Sequence, residues 1–192
     1  MGKLRMIAGN IVDDDILKTA EAVVLPTNPM MRCGAGIFGE IFKKAGVDIL
    51  EAYCEKTYGI SYYNEPGVNE MKVTETRVTP GFALPCPIIF AQGPKKYEYA
   101  DDDAALCNLK RTYESIFETV KSEGFRSVLI PAMGTGSYGF THEETAPLMV
   151  GLLSKFADEN DIDIVFVVYD ESDLPVYLSE LDRLRRRGNE KE

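Results

Sequence analysis

Short apolar runs alternate with amphipathic stretches along almost the whole chain, and this alternation limits the possible folds more than any other feature. The clearest runs are Ala22–Leu25, Pro87–Gln92, Val128–Pro131 and Ile162–Tyr169. Apolar runs of roughly four to eight residues, bounded by turn signals, are typical of buried strands. Strands that alternate with helices predict a largely parallel or mixed sheet with helices on both faces.

Further elements complete this pattern. Leu4–Ala8 indicates a first strand, and weak alternation over Met71–Val78 favours another. Apolar residues at helical spacing over 37–45 predict a helix that ends at Gly46, and residues 47–57 add a further turn or two. An apolar stripe over 106–120, which ends before Gly124, predicts a longer helix.

The helix after Val128–Pro131 has two possible starts. Thr141 and Glu144 resemble a capping box, which places the start at Thr141. Pro147 then removes an interior hydrogen bond, so the helix either starts nearer Thr145 or bends at the proline. We expect Ser172 to cap the last helix.

The length of the chain, 192 residues, fits one domain. We expect this domain to span residues 1–184, followed by a charged and frayed tail over 185–192. No stretch reaches the roughly 18 apolar residues needed to cross a bilayer, and the start does not resemble a signal peptide. We therefore expect a cytoplasmic protein without a membrane partner, and as a separate expectation we take it to be a monomer. Five tyrosines in loops either cover the fold or form a partner surface: Tyr58, Tyr62, Tyr63, Tyr97 and Tyr99.

Cysteine and histidine usage argues against a metal site. The cysteines Cys33, Cys54, Cys86 and Cys107 are far apart, and this spacing indicates neither a zinc cluster nor a disulfide scaffold. His142 is the only histidine, so a histidine-based metal site is not expected. Reduced thiols in a cytoplasmic protein are the simplest interpretation, and we expect neither a metal nor a cofactor.

The formal net charge of −10 limits the class of partner. A negative field discourages broad binding to nucleic acids and to anionic membranes, and it also repels small anions at long range. A phosphate-binding site in this chain must therefore depend on local backbone N–H groups and not on overall charge.

Two glycine-rich segments follow predicted strands. Gly34-Ala35-Gly36-Ile37 precedes a helix, where small residues let backbone amides approach an anion closely. With Gly39 it matches the dinucleotide fingerprint, yet the segment is not the short turn after the first strand that a Rossmann site requires. The second segment, Gly134-Thr135-Gly136-Ser137-Tyr138-Gly139-Phe140, offers N–H and hydroxyl donors and can wrap a diphosphate. A flexible or tightly packed turn is the structural alternative for both.

Two more strand ends carry polar or aromatic residues. Gly9-Asn10-Ile11 follows the first strand, and Tyr169-Asp170 follows the most apolar one. Asn10 can donate and accept hydrogen bonds, and Tyr169 can stack on a base. In isolation, however, a plain turn is the better explanation for the first segment, and a core or rim tyrosine for the second. For His142 we favour a solvated position at a helix start over a role as an acid or base.

Taken in order, these segments resemble the macrodomain family, whose members bind ADP-ribose and include Appr-1''-p processing proteins. The resemblance rests on the glycine segments above, with Gly9-Asn10-Ile11, Ala22–Asn28, Ile130-Pro131-Ala132 and Tyr169-Asp170, and it covers roughly residues 4–182. It implies a three-layer α/β/α fold around a mixed, largely parallel sheet. It also implies a cleft for ADP-ribose, its derivatives or ADP-ribosylated protein.

The resemblance assigns a role to each segment. Asn10 and Ile11 would meet the adenine edge, and Tyr169, followed by Asp170, would stack on the ring. Residues 34–37 and 135–138 would hold the diphosphate through backbone amides. Asn28 would face the distal ribose, with Tyr138 or Phe140 packed against it.

This chain departs from the family pattern at three positions. The family often has Asp where Asn10 stands, and the first asparagine of its Asn-Ala-Ala-Asn pattern is Leu25 here. The position of the acid in one hydrolytic branch is Phe38. Glu40 cannot replace that acid, because two residues along a helix turn a side chain by about 200°.

Two functions of different classes remain open. One is a module that binds ADP-ribose or ADP-ribosylated targets. The other is a hydrolase that removes ADP-ribose from modified targets or deacetylates O-acetyl-ADP-ribose, for which Asn28 is the candidate catalytic residue. A hydrolase must activate water, and asparagine is a poor base, so binding with weak turnover is favoured. A Rossmann dehydrogenase would need a ribose-binding acid after the second strand, which we do not find.

Overall fold

The computed structural model describes residues 2–61 and 63–189. The strands are β1 Leu4–Ala8, β2 Ala22–Pro26, β3 Thr76–Thr79, β4 Ile88–Ala91, β5 Ser127–Pro131 and β6 Asp163–Val168. The α-helices are α1 Asp14–Leu17, α2 Gly36–Ala45, α3 Val47–Tyr58, α4 Asp102–Ser122, α5 His142–Asn160 and α6 Leu174–Asn189. Short 3₁₀ turns at Lys96–Glu98 and Glu171–Asp173 precede α4 and α6.

The strands form one sheet in the order β1-β6-β5-β2-β4-β3. Every neighbouring pair is parallel except β3 and β4, which are antiparallel. The predicted mixed, largely parallel sheet is therefore confirmed. Parallel strands end at the same edge, so the residues that follow β1, β2, β4, β5 and β6 meet there.

The sheet separates two hydrophobic clusters, and successive strand residues point alternately into them. In β2, Ala22 and Val24 face the cluster formed with α4, α5 and α6, whereas Val23 and Leu25 face the cluster formed with α2 and α3. The same alternation runs through β5 and β6. Because both faces of the strands are buried, their sequences are continuous apolar runs, and the three layers follow from that pattern.

Two of the predicted element boundaries differ in the structure. Helix α6 is not capped by Ser172; the side chain of Asp170 instead accepts from the amide of Ser172 and begins a 3₁₀ turn. The strand expected over Met71–Val78 begins only at Thr76, because Thr74 has a left-handed φ of 76° that interrupts an extended chain.

The start of α5 is resolved in favour of the capping box. The hydroxyl of Thr141 accepts from the amide of Glu144 at 3.2 Å, and the helix runs from His142 through Pro147. Pro147 and Glu143 are both exposed, so solvent can satisfy the Glu143 carbonyl that the proline leaves without a donor.

Helix α6 continues through residues 185–189, which the sequence analysis assigned to a frayed tail. Arg186 and Arg187 lie in its last turn, where positive charge stabilises the helix dipole. The rest of the predicted tail, residues 190–192, and Tyr62 lie outside the described residues. Of the other loop tyrosines, Tyr58 ends α3, and Tyr63 and Tyr97 are largely exposed. Within the described ranges, no helix combines the length and apolar character that a bilayer span requires.

Candidate functional site

A cleft opens at the carboxyl ends of β2, β5 and β6. Strands β2 and β5 are parallel neighbours, yet the chain leaves β2 towards α2 on one face of the sheet and leaves β5 towards α5 on the other. Connections that diverge in this way leave a crevice between them, which is where open α/β sheets bind ligands. The two glycine-rich segments form the walls of this crevice.

The cleft has two compartments that share Gly36, Ile37, Ala132 and Gly136. The first compartment, of about 340 Å³, is also lined by Pro26, Thr27, Asn28, Gly34, Ala35, Phe38, Gly134, Ser137 and Tyr138. The second compartment, of about 420 Å³, is also lined by Glu40, Pro131, Thr135, His142, Val167, Tyr169, Asp170 and Asp173. Each glycine-rich segment therefore contributes to both compartments, and the segments meet where the compartments join.

The first wall is the turn at residues 34–38, which leads into α2. A Cβ atom at Gly39 would lie 2.0 Å from the carbonyl oxygen of Gly34, so only glycine lets the turn pack this closely on the helix. Gly36 has a φ of 63°, in the left-handed region that favours glycine. The amides of residues 34–38 donate to no described residue, because the first amides of a helix have no partner within it.

The second wall is the loop at residues 134–140, which folds back on itself. The amide of Gly139 donates to the carbonyl of Gly136 at 3.1 Å, and that of Phe140 donates to the carbonyl of Gly134 at 3.2 Å. The buried Phe140 ring lies directly beneath Gly134, where a Cβ atom would approach it to 2.8 Å. The amides of residues 134–138 donate to no described residue. They are available to a ligand, whereas those of Gly139 and Phe140 hold the loop in shape.

Tyr138 connects the two sides of the first compartment. Its hydroxyl donates to the carbonyl of Thr27 at 2.9 Å and lies 3.4 Å from the Nε2 atom of Gln92. Its own carbonyl accepts from the amide of Lys96 at 2.8 Å. Because these contacts reach β2 and the segment after β4, they hold the second wall at a defined distance from the first.

The carboxamide of Asn28 is engaged within its own loop. Its Nδ2 atom donates to the carbonyl of Arg32 at 2.8 Å, and its Oδ1 atom accepts from the amide of Arg32 at 3.3 Å. The Arg32 guanidinium is buried and pairs with Glu51 at 3.2 Å. Asn28 can offer a ligand one further N–H and one further lone pair, from a fixed position.

Phe38, which the resemblance aligns with the family's acid, is an apolar wall of the first compartment. Its ring is 9% exposed and packs edge-on against Phe42 at 4.9 Å between centroids. No Asp, Glu, His or Cys side chain is among the described residues that line this compartment. The first compartment therefore holds no group that can act as a general base near neutral pH.

Glu40 lies in the second compartment, one helical turn after Gly36. Its Oε2 atom accepts from the Nδ2 atom of Asn10 at 2.8 Å, and the Oδ1 atom of Asn10 accepts from the amide of Val12 at 3.3 Å. Ile11 is fully buried in the core behind them. Asn10 and Ile11 thus stand behind the wall that Glu40 forms.

The rest of the second compartment contains two carboxylates and a histidine. The Nδ1 atom of His142 lies 2.7 Å from the Tyr177 hydroxyl, and its Nε2 atom lies 3.2 Å from Asp173. His142 begins α5, as expected, but its side chain is only 22% exposed because Tyr177 and Asp173 partly cover it. The backbone amide and the hydroxyl of Ser172 both donate to Asp170, and these bonds lower the pKa of its carboxyl.

The structure brings most of the predicted site residues to the cleft. Those among the lining residues are Asn28, Gly34, Ala35, Gly36, Ile37, Gly134, Thr135, Gly136, Ser137, Tyr138, Tyr169 and Asp170. Those not among them are Asn10, Ile11, Gly139 and Phe140. Tyr169 follows β6 and is 67% exposed, so one of its ring faces is accessible to a planar group.

Glu40 is the site residue that the sequence analysis missed. The sequence analysis compared it with Phe38, two residues away, and concluded that it faces elsewhere. The informative neighbour is Gly36, because residues four apart lie on the same face of a helix. Asp173 was missed as well, and His142 was set aside as a structural residue, because the two meet beside the cleft only when α5 packs against the segment that leads into α6. Among the described residues, no group of three or more His, Cys, Asp or Glu side chains is arranged to hold a metal ion.

Known proteins share this sequence pattern and this architecture. The family model described as Macro domain matches residues 24–149. A Macro domain-containing protein of Ralstonia nicotianae is 31% identical over 166 residues, which cover 86% of this chain and 88% of that protein. O-acetyl-ADP-ribose deacetylase 1 of Pantoea vagans is 31% identical over 176 residues, which cover 90% of this chain and 97% of that protein.

A solved structure resembles this chain over nearly its full length. It is that of an Oceanobacillus iheyensis macrodomain mutant with ADPR, which is 28% identical and aligns with a TM-score of 0.83. The alignment covers 96% of this chain and 95% of the other.

Proposed function

This chain belongs to the Macro domain family, and from that premise we propose that it binds ADP-ribose, or a ligand built on ADP-ribose, in the cleft between its two glycine-rich walls. The proposal depends on two sets of backbone amides, those of residues 34–38 and those of residues 134–138. Neither set donates to a described residue, and the two sets meet where the compartments join. Amides in such an arrangement form a nest for an anion, and the N-terminus of α2 adds the favourable end of a helix dipole.

The two compartments suggest how the ligand lies. The diphosphate binds at the shared centre, around Gly36 and Gly136. The distal ribose occupies the first compartment, beside Asn28 and Tyr138, and the adenine occupies the second, against Tyr169. A ligand that spans both compartments in this way satisfies the exposed amides, which is the main source of affinity in a molecule whose net charge of −10 opposes anions at long range.

The remaining predicted site residues support the cleft from behind. Asn10 and Ile11 back the second compartment, while Gly139 and Phe140 hold the second wall in its looped shape. Asp170 lies at the rim beside Tyr169. We include ADP-ribosylated proteins among the ligands, and we infer a monomer. The four cysteines are free thiols, which supports a reducing compartment such as the cytoplasm.

Titration calorimetry with ADP-ribose tests this proposal. We expect a dissociation constant of about 1 µM, which corresponds to roughly 8 kcal/mol of binding free energy. Ligand at about 100 times that concentration then stabilises the folded protein by about 2.7 kcal/mol, which thermal unfolding detects. The absence of both binding heat and a thermal shift at millimolar ligand would reject the proposal.

A hydrolase is the second candidate, because a relative that is 31% identical carries the name O-acetyl-ADP-ribose deacetylase. Asn28 could orient a water molecule in the first compartment. However, Phe38 stands in the acid position, and the described lining of that compartment holds no base. We therefore propose that binding predominates and that any turnover is slow.

Incubation with mono-ADP-ribosylated protein separates the two candidates. Wild-type protein and Asn28→Ala, each shown to be folded by circular dichroism, are compared by the amount of ADP-ribose released. Stoichiometric retention without release supports the binding module. Release over many turnovers by the wild type, lost in Asn28→Ala, supports the hydrolase instead.

A further inference from the structure

We propose that Glu40, from helix α2, reads the exocyclic amine of the ligand's base, so that the second compartment selects a 6-amino purine over its 6-oxo counterpart. The inference rests on the proposed function and adds the residue that determines base specificity. The group that accepts the hydrogen bond from the base then belongs to α2, which follows the first wall, and not to the loop after β1.

Contacts of the second compartment single out Glu40 among its carboxylates. The Oδ1 atom of Asp170 already accepts two hydrogen bonds from Ser172, at 2.8 and 2.9 Å. Asp173 lies 3.2 Å from the Nε2 atom of His142. Glu40 receives one bond, from Asn10 to its Oε2 atom, and its Oε1 atom accepts from no described residue. Glu40 therefore keeps a whole oxygen, Oε1, for a ligand, and its described partner is a neutral amide, whereas Asp173 faces a histidine and Asp170 already accepts two bonds.

Asn10 fixes the orientation of that carboxylate. Its Nδ2 atom holds Oε2 at 2.8 Å, while the amide of Val12 holds its own Oδ1 atom, so the carboxamide cannot easily turn over. A carboxylate held from behind by a donor presents its remaining lone pairs to the compartment that it lines. Asn10 is thus a positioning residue for the Glu40 carboxylate.

The chemistry of a carboxylate determines which base fits. An ionised carboxylate only accepts hydrogen bonds, so it favours the amine of a 6-amino purine and repels the carbonyl oxygen of a 6-oxo purine. Tyr169 lines the same compartment and offers its ring face to either base equally. Stacking therefore contributes to affinity, and Glu40 contributes to the choice between the two bases.

The test is calorimetry with ADP-ribose and with its deaminated analogue, inosine diphosphate ribose, at the same pH and salt concentration. We expect wild-type protein to prefer ADP-ribose by at least about tenfold, since hydrogen bonds to charged groups have that strength. In Glu40→Gln, Asn10 holds the amide oxygen and the Nε2 donor faces the base. The two ligands should then bind with about equal affinity, or the preference should reverse.

Two further variants separate base reading from general electrostatic effects. Asp173→Asn removes a negative charge from the same compartment, and we expect it to change both affinities by the same factor and to keep the wild-type ratio. Glu40→Asp keeps the charge but is one methylene too short to reach both Asn10 and the base, so the ratio should fall at least threefold. It also provides the test if Glu40→Gln does not fold.

The ratio of the dissociation constants for the two ligands decides the inference. A Glu40→Gln protein that keeps the wild-type ratio overturns the inference, as does a wild-type protein that binds both ligands equally. In those two cases ADP-ribose still binds and the proposed function stands. A wild-type protein that binds neither ligand at millimolar concentration overturns both.

Discussion

At the scale of single residues, the glycines of the two walls differ in whether their surroundings leave room for a side chain. A Cβ atom at Gly39 would collide with the carbonyl oxygen of Gly34, so that glycine is required by packing. A Cβ atom at Gly136 would meet no atom within 4 Å, although this glycine lies at the centre of the cleft. A side chain introduced at Gly136 should therefore occupy space in the cleft without disturbing the fold.

Gly136→Glu should abolish binding of ADP-ribose, because the new side chain brings bulk and negative charge to the amides that hold the diphosphate. We expect the dissociation constant to rise at least 100-fold, measured by calorimetry. Gly151→Glu is the matched control: it introduces the same residue on α5, where a Cβ atom also meets nothing within 4 Å. Unchanged affinity in a folded Gly136→Glu protein would show that the ligand lies elsewhere.

At the residue scale, the sequence located the two glycine-rich walls of the cleft because their signal is local. The glycines of both walls are recognisable because small residues between a strand and a helix have few other uses. The hydrogen bond between Asn10 and Glu40 could not be predicted, because it joins residues 30 positions apart that only folding brings together. The engagement of the Gly139 and Phe140 amides was equally invisible, since it depends on how the loop closes on itself.

At the scale of elements, periodicity predicted the interiors of helices and strands better than their ends. The capping box at Thr141 was informative because both of its partners lie within one turn. The start of α6 was predicted wrongly, because Asp170 and Ser172 are both good capping residues and only the fold selects between them. The sequence showed that β3 lies near residue 76, but the left-handed Thr74 that delays its start gives no sequence signal.

Thr141→Ala should destabilise the protein by about 1 kcal/mol, because the amide of Glu144 loses its acceptor. Urea unfolding monitored by circular dichroism measures this change. Asp101→Ala removes the corresponding cap from α4, where the side chain accepts from the amide of Asp103, and should cost a similar amount. If neither change lowers the urea midpoint, the caps contribute nothing measurable to stability.

At the scale of the whole molecule, the chain builds two separate cores, one on each face of the sheet. Composition and patterning predicted this layered arrangement because every buried strand must cover both of its faces. They could not predict the order of the strands, since β1 pairs with β6, which lies more than 150 residues later in the chain. Strand order depends on long-range pairing, about which local periodicity carries no information.

Alkaline pH should weaken the folded state through thiols in the core on the α2 and α3 side. Burial raises the pKa of Cys54 and of Cys86 from 9.0 to about 11. Between these values the unfolded chain loses the thiol protons and the folded protein keeps them, so stability falls as pH rises. We expect a slope of up to about 1.4 kcal/mol per pH unit for each thiol.

Urea unfolding at pH 8 and pH 10.5 measures this loss, and Cys86→Ala should make it shallower. Titration with a thiol reagent gives an independent check. The exposed Cys107 should react at once, whereas Cys54 and Cys86 should react only as the protein unfolds. Equal stability of the wild type at the two pH values would contradict the prediction.

The pairing of β1 with β6 has a consequence for how the chain is made. The hydrogen-bonding neighbour of β1, which is β6, emerges from the ribosome only after everything between Ala8 and Asp163 has been translated. Until then β1 has no strand beside it, and the floor of the second compartment, which includes Val167 and Tyr169, does not exist. The cleft is therefore completed late in synthesis, when β6 pairs with β1 on one side and with β5 on the other.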